Sequence, residues 1–217
     1  MGVAVAPALE GTDRGRALKA QLVTRGVELE ELDDRALTEL ADTEHPQGIV
    51  AVLEPRTWTL DDLTKRQVPG ATYLVLDGIQ DPGNAGTILR SALALGAAGV
   101  VALPGTAELH NPKVLRGSMG ACFKVPNLHA SDAEFLDWCT KGKIELWTTA
   151  MDGTDIRKAH RPAGPLALLL GNEGAGVRDE LASRASANVA IPIAAGSESL
   201  NVAAAAAILL WETRRGG

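Results

Sequence analysis

Three segments of the chain place polar side chains between glycines, and each lies directly after a run of apolar residues. The first, residues 76–90, reads LDGIQDPGNAGTILR. Its Pro-Gly pair predicts a turn, after which Asn84 is expected to cap a helix whose second turn carries Arg90. A cation held near a helix start, beside the end of a strand, could stabilise an anion. The alternative is that Asn84 only caps the helix and Arg90 is a surface charge, and this segment taken alone favours that alternative.

The second segment, residues 170–177, reads LGNEGAGV. Its glycines would let a ligand approach the backbone closely. Their spacing is not the GxGxxG of dinucleotide-binding loops, and the negative charge of Glu173 would repel a pyrophosphate, so the segment favours a ligand with a cationic centre. A strand-to-helix turn that requires positive φ explains the glycines equally well.

The third segment, residues 191–203, reads IPIAAGSESLNVA and leads into an alanine-rich, apolar stretch. Ser199 is the predicted N-cap of a C-terminal helix, and Pro192 excludes an uninterrupted central strand. Asn201, in the first turn of that helix, is neutral for helix stability and is therefore available to a site. A cap followed by a core helix accounts for Ser199 but not for the Ser-Leu-Asn combination.

The net charge of −6 limits how this chain could bind nucleic acid. A nucleic acid partner must meet a local basic patch rather than the whole surface. The stretch HNPKVLRGSMGACFKVP, residues 110–126, could form such a patch for RNA through Lys113, Arg116 and Lys124. Aromatic residues make up 3%, too few for an extended base-stacking surface. The four histidines are scattered, so a solvated or hydrogen-bonded role is the simpler account of each.

Regular alternation of apolar runs and helical stretches begins near residue 71 and must position these segments. Continuous apolar strands predict a parallel sheet covered on both faces, and hence an α/β domain. The predicted strands are 73–76, 99–103, 144–149, 166–170 and 189–193. The predicted helices are 85–95, 111–117, 132–140, 178–182 and 200–214.

The first 55 or so residues lack this alternation. They predict a short helix over 17–23, an edge strand over 26–29, a helix over 33–40 capped by Asp33 or Asp34, and an apolar strand over 47–52. Residues 56–70 have a mixed-charge composition typical of a linker, with one helical turn at 60–65. The segment is short for an independent domain and is interpreted as part of one.

Composition excludes several other classes of protein. The chain has 217 residues, 46% hydrophobic and 22% charged, which excludes a disordered chain, a collagen-like repeat and a coiled coil. No apolar run reaches the roughly 20 residues of a membrane span, and the start lacks signal-peptide features, so we expect a cytoplasmic protein without membrane contact. Cys122 and Cys139 form no CxxC pair, which argues against a disulfide framework and a metal site.

Together, the three segments resemble the three motifs of the SpoU-type (TrmH-like) RNA ribose 2′-O-methyltransferases of the SPOUT superfamily. The resemblance rests on DPGNAGTILRSALALGAAGVV from Asp81, LLLGNEGAGV from Leu168 and IPIAAGSESLNVAAAAAILLWE from Ile191. The order and spacing of the motifs also agree, and the resemblance covers about residues 71–214. EHPQGIVAV, from Glu44, resembles the end of the ribosomal-protein-like substrate-binding domain that often precedes this catalytic domain.

This resemblance implies methyl transfer from S-adenosylmethionine to a ribose 2′-hydroxyl of rRNA or tRNA, in a homodimer. It also implies a parallel-sheet domain with a deep trefoil knot, whereas general topology rules predict an unknotted doubly wound sheet. The implied organisation is a partial RNA- or substrate-binding segment over 1–55, a linker over 56–70 and the methyltransferase domain over 71–217. The first segment is short for the usual substrate-binding domain.

The resemblance also implies site residues, by motif match. Arg90 takes the catalytic arginine position, with Asn84 and Asn201 as catalytic partners. The implied S-adenosylmethionine pocket is lined by Thr149, Leu170, Gly171, Glu173, Gly174, Ile191, Ile193, Leu200 and Asn201. A guanidinium is effectively never deprotonated, so Arg90 would support charge on the attacking oxygen rather than act as a simple base, and an RNA phosphate could take the proton or orient Arg90.

Two other functions compete with this interpretation of the sequence. A nucleotide-dependent oxidoreductase is disfavoured by the missing GxGxxG. A non-catalytic RNA-binding dimer of the same fold is the other alternative, and the presence together of Asn84, Arg90, Glu173 and Asn201 favours activity over it.

Overall fold

The computed structural model describes residues 2–41, 43 and 45–215, which fall into two compact units divided between Arg56 and Thr57. The first unit contains a three-stranded sheet in which β1 lies between β2 and β3, parallel to β2 and antiparallel to β3. Its elements are β1 (Gly2–Val5), α1 (Asp13–Thr24), β2 (Leu29–Glu31), α2 (Asp34–Leu40) and β3 (Ile49–Val52).

The central strand β1 of this unit is absent from the sequence prediction. Its four residues, GVAV, are too few to show a periodicity. The helix predicted over 33–40 agrees with α2. Asp33 caps this helix by accepting a hydrogen bond from the backbone N–H of Ala36 at 2.7 Å. A small core of Ala4, Ala6 and Leu37 joins α2 to the sheet.

The second unit is built on a six-stranded sheet in the order β6-β5-β4-β8-β7-β9, and every neighbouring pair is parallel. This confirms the predicted α/β class with a parallel sheet. The strands are β4 (Thr72–Asp77), β5 (Gly99–Ala102), β6 (Asn127–His129), β7 (Glu145–Asp155), β8 (Leu166–Gly171) and β9 (Ala187–Ala190). The three-residue edge strand β6 was not predicted.

Helices cover both faces of this sheet, which explains why its strands are apolar without alternation. Along β4, Leu74 and Leu76 pack into one buried cluster, and Tyr73 and Val75 pack into another on the opposite face. The helices are α3 (Leu60–Lys65), α4 (Pro82–Ala94), α5 (Pro112–Gly117), α6 (Asp132–Gly142), α7 (Asp179–Ala182) and α8 (Val202–Arg215).

The stretch expected to act as a linker contributes α3 to the second unit. Leu63 of α3 is fully buried in the cluster that contains Tyr73. The indole N–H of Trp138, on α6, donates to the Thr64 hydroxyl at 2.9 Å. None of the helices in the described part of the chain is long and apolar enough to cross a bilayer.

Two helix starts differ from the sequence prediction. Helix α4 begins at Pro82 and is capped by Asp81, whose carboxylate accepts from the backbone N–H of Asn84 at 2.8 Å. Proline suits the first helical position because its missing N–H is not needed there. Helix α8 begins at Val202, and Asn201 rather than Ser199 accepts from the backbone N–H of residue 203, at 2.9 Å. The first difference leaves the Asn84 side chain available for other contacts.

Candidate functional site

The three polar segments meet at the carboxyl-terminal edge of the six-stranded sheet. Asp77 of β4 and Gly171 of β8 are register partners, so the loops 78–81 and 172–177 leave neighbouring strands side by side. The third loop, 191–201, follows β9. Strand β9 pairs with β7, and both lie on the side of β8 opposite to β4. This edge is where ligands bind in open α/β sheets. The loops after β8 and β9, together with β7, line an open cavity of about 490 Å³.

Most of the residues predicted to hold a cofactor line this cavity. They are Thr149, Leu170, Gly171, Glu173, Gly174, Ile191, Ile193 and Leu200. Asn201, which was predicted with them, is not part of the wall. It lies at the start of α8 and contacts the first loop instead.

The side chain of Asn84 connects all three loops. Its Nδ2 donates to Glu173 Oε1 at 2.7 Å, and its Oδ1 accepts from Asn201 Nδ2 at 2.9 Å. Glu173 requires a donor, so the orientation of the Asn84 amide follows from its partners. Asn201 makes this contact while its own Oδ1 caps α8. The structure therefore brings together three predicted residues that belong to three different motifs.

Sequence reasoning assigned no role to Asn172, which shapes the second loop. Its Nδ2 donates to the carbonyl of Gly78 at 2.9 Å, and its Oδ1 accepts from the backbone N–H groups of Gly174 and Ala175 at 2.9 and 3.1 Å. An Asn followed by glycine two residues later is the signal of such a turn, and it could have been recognised. Gly171 is required beside it, because a Cβ there would overlap the backbone of Gly176.

An irregularity in β7 forms another part of the cavity wall. The register between β7 and β9 shifts between Thr149 and Thr154, so the intervening residues bulge out of the strand, and Ala150 and Met151 line the cavity. Thr149 at the start of the bulge donates to the carbonyl of Leu169 at 2.9 Å. The sequence prediction ended this strand at residue 149, because the pattern of apolar residues stops where the bulge begins.

An ionic cluster that the sequence analysis missed anchors the end of the second loop. Arg178 donates through Nε to Asp77 Oδ1 at 2.6 Å and through its backbone N–H to Oδ2 at 2.8 Å. Its two terminal nitrogens donate to both oxygens of Asp132 at 2.8 and 2.7 Å. The hydrogen bonds to Asp132, and then those to Asp77, raise the pKa of the Arg178 guanidinium, although partial burial opposes them. Asp77 is only 1% exposed, and Arg178 is the cation that pairs with this buried carboxylate.

Arg90 is not brought to the cavity. Its side chain is exposed on α4 and does not line the wall. It lies seven residues after Gly83, close to two helical turns, and therefore on the α4 face that carries Gly83 and Gly86. That face meets α5, because a Cβ at Gly86 would lie 2.8 Å from the carbonyl oxygen of Val114. The catalytic role of Arg90 stays a prediction.

The predicted RNA-binding residues lie on and just after α5. Lys113, Arg116 and Lys124 are all exposed. Helix α5 packs closely against the first turns of α4, since a Cβ at Gly117 would lie 3.5 Å from the Cα of Gly86. This places Lys113 and Arg116 on the same helix pair as Asn84, with Lys124 in the turn that follows, although RNA contact itself stays a prediction.

The cavity suits a cationic ligand with apolar parts. Among the described residues that line it, Glu173 carries the only charge, and the remaining residues are aliphatic, small or neutral polar. A pyrophosphate would meet no cation there, whereas a sulfonium would be attracted by the carboxylate. S-adenosylmethionine, a sulfonium compound with an apolar purine face, therefore fits the residues present.

Comparisons with known proteins agree with this geometry. The model of the SpoU rRNA Methylase family matches residues 71–211, and that of the RNA 2′-O ribose methyltransferase substrate-binding domain matches residues 8–59. The Bacillus subtilis 23S rRNA (guanosine(2553)-2′-O)-methyltransferase RlmP is 35% identical over 189 residues, covering 87% of this chain and 73% of RlmP.

Two solved structures are similar over almost the whole chain. AviRb from Streptomyces viridochromogenes, a SpoU methyltransferase solved in complex with the cofactor AdoMet, has a TM-score of 0.86 at 29% identity, covering 99% of this chain and 81% of AviRb. An AdoMet-bound rRNA methyltransferase from Sinorhizobium meliloti has a TM-score of 0.84 at 33% identity, covering 99% of this chain and 79% of that protein. These relatives support an enzyme over a non-catalytic binding protein, and the chain belongs to the SpoU family of S-adenosylmethionine-dependent RNA ribose 2′-O-methyltransferases.

Proposed function

We propose that this chain methylates a ribose 2′-hydroxyl of 23S rRNA. The observation that carries the proposal is the junction at Asn84, which joins Glu173 and Asn201 beside the cavity. Glu173 is the one charged residue among the described residues of its wall. The choice of 23S rRNA over tRNA is supported by the 35% identity to RlmP, the 23S rRNA methyltransferase of Bacillus subtilis. We also propose that the protein acts in the cytoplasm.

S-adenosylmethionine, when bound, supplies a methyl group carried on a positively charged sulfur. We assign its binding to the cavity wall and to Asn201, the full set being Thr149, Leu170, Gly171, Glu173, Gly174, Ile191, Ile193, Leu200 and Asn201. Glu173 supplies the negative charge of the wall, and its hydrogen bond to Asn84 limits the positions that its carboxylate can take. Asn172 holds the second loop against Gly78, so the backbone presented to the ligand is set before binding.

We place Arg90, Asn84 and Asn201 in the catalytic machinery. Asn84 and Asn201 hold the three loops in register. Arg90 supports the negative charge that develops on the ribose oxygen, and its exposed position on α4 leaves it accessible to RNA. A guanidinium does not accept the proton that the 2′-hydroxyl releases, and we propose an RNA phosphate as the acceptor.

We further propose a homodimer formed through α8. Its outer face carries Ala204, Ile208 and Trp211 at spacings of four and three residues, and the last two are 39% and 56% exposed. Such an apolar stripe on a helix surface is typical of an interface. Light scattering should give about twice 22.6 kDa, and an active monomer would exclude the dimer.

We also propose the roles of the chain segments, the trefoil knot and the residues that contact RNA. We assign RNA or substrate binding to residues 1–55, a connecting role to 56–70 and catalysis to 71–217. The trefoil knot implied by the family resemblance stays a prediction for the C-terminal part of the chain. Lys113, Arg116 and Lys124 are proposed to contact RNA phosphates.

The test combines binding and transfer. Calorimetry should detect S-adenosylmethionine and not NAD, and radiolabelled methyl groups should pass to 23S rRNA but not to DNA of the same sequence, which lacks the 2′-hydroxyl. Binding of NAD alone would overturn the proposal. Binding of both S-adenosylmethionine and rRNA without transfer would favour the non-catalytic alternative.

A further inference from the structure

The turn that follows α5, residues 118–124, exposes two large apolar side chains. Met119 is 74% exposed and Phe123 is 51% exposed, while Ala121 and Cys122 between them are buried. Large apolar side chains that are exposed close together in the chain favour a surface that binds a partner. Here the two are presented by one short turn, which we call the 118–124 turn.

The backbone of this turn is strained at Met119. Its φ is +51°, and the described part of the chain contains one other non-glycine residue with positive φ, Lys143. A side chain with a Cβ is disfavoured in this region. Met119 therefore has an unfavourable backbone conformation and an exposed side chain, so burial of the side chain does not offset the strain. Strained backbone conformations cluster at functional sites.

Buried hydrogen bonds hold the turn in place. Asn127, 2% exposed, donates through Nδ2 to the carbonyls of Cys122 and Val125 at 2.8 and 2.7 Å. At the other end, the hydroxyl of the fully buried Ser118 donates to the carbonyl of Leu115 at 2.8 Å. The exposed side chains therefore project from a rigid base, which lowers the entropic cost of binding.

The charged side chains of the sequence stretch that contains the turn are all positive. Residues 110–126 contain Lys113, Arg116 and Lys124 and no Asp or Glu, in a chain whose net charge is −6. This favours a polyanionic partner. A second copy docking through the same surface would place these cations against themselves, because a two-fold interface pairs each patch with its own copy. Charge complementarity therefore selects a nucleic acid over another copy of the chain.

We propose that Met119 and Phe123 form a stacking platform for unpaired bases of the RNA substrate, with the neighbouring lysines on its phosphates. The proposal rests on the proposed function and specifies its substrate, because only unpaired bases expose a face to an aromatic ring. The preferred RNA is therefore a loop or single strand rather than a continuous duplex. The end of α5, from which this turn continues, packs against α4, the helix that carries Asn84.

The test measures binding of two fluorescent RNAs, a hairpin with an unpaired loop and a fully paired duplex of equal length. Wild-type protein should prefer the hairpin. Phe123→Ala should weaken hairpin binding about tenfold and leave duplex binding unchanged, whereas Phe123→Tyr should retain the preference. Lys113→Ala should weaken binding of both RNAs and reduce the salt dependence by about one unit of log–log slope. Val68→Ala, at a 59% exposed apolar position outside the turn, is the matched control.

Met119→Gly separates stability from binding. Glycine adopts a positive φ without steric strain, so the variant should melt no lower than wild type. It should bind the hairpin less tightly, because the Met119 side chain is lost. Equal hairpin affinity in wild type, Phe123→Ala and Met119→Gly would overturn the stacking proposal, as would a loss of dimer mass in Phe123→Ala without a change in RNA binding. Failure of the proposed function would show differently, as a wild-type protein that transfers no methyl group to any RNA.

Discussion

Replacing Arg178 by Met would leave the carboxylate of Asp77 buried without its cation. Asp77 is 1% exposed, and after the change the backbone N–H of residue 178 would be the one donor left to it among the described residues. Breaking a buried ion pair by removing one partner costs about 3–5 kcal/mol. Because the Arg178 side chain is itself 42% exposed and water can reach its position, we expect the lower end, about 3 kcal/mol. For a unit of this size, that lowers the melting temperature by roughly 6–12 °C.

Removing the charge of the other partner, Asp77, should destabilise the protein less. Asp77→Asn leaves Arg178 paired with both oxygens of Asp132 and partly in water, so no charge is stranded. We expect a loss of about 1 kcal/mol, the value of an ordinary hydrogen bond. The double variant Asp77→Asn/Arg178→Met has no buried charge at position 77, so it should be more stable than Arg178→Met alone. We expect a coupling energy between the two substitutions of about 2 kcal/mol.

The assay is urea denaturation of the four proteins, together with S-adenosylmethionine calorimetry of each variant at a temperature where it is folded. Arg178 anchors the loop that lines the cavity, so Arg178→Met should also weaken cofactor binding. Arg157→Met is the control, because Arg157 is 64% exposed and pairs with Asp155 in an ion pair that water screens, so its loss should change stability little. Equal losses for Arg178→Met and Asp77→Asn, or strict additivity in the double variant, would refute the argument from burial.

Three further predictions concern the site and one helix end. Arg90→Ala should lower single-turnover methyl transfer about 10²–10³-fold with unchanged S-adenosylmethionine affinity, and wild-type turnover would remove Arg90 from catalysis. Gly171→Ala should weaken S-adenosylmethionine binding at least about tenfold, because its Cβ would overlap Gly176, and an unchanged titration would contradict the placement of the cofactor in this cavity. Lys143→Gly should raise stability by about 0.5–1 kcal/mol, since Lys143 ends α6 at a φ of +49°, and a lowered melting temperature would contradict the strain argument.

Some of the fold could be read from local patterns alone. The strands β4 and β8 are continuous apolar runs because both of their faces are buried, and this pattern is visible without knowledge of any partner strand. The short strands β1 and β6 were missed for the opposite reason. They have four and three residues, and the strand pairing that makes them β structure lies outside their own sequence.

The caps of α4 and α8 show where local patterns become ambiguous. Asp81 and Asn84 are both good N-cap residues, as are Ser199 and Asn201. In each pair the sequence chemistry permits either choice. The structure selects Asp81 and Asn201, which leaves the Asn84 side chain and the Asn201 amide nitrogen free to meet each other.

The sequence by itself determined the α/β class, the three motifs and, through their resemblance to a known family, the cofactor. Only the tertiary structure decided which polar groups meet. Asn84 lies 89 residues from Glu173 and 117 from Asn201, and Asp77 lies 101 residues from Arg178. No local periodicity encodes such pairs, because they arise from the parallel register of β4 with β8, and that register is set by burial summed over the whole sheet.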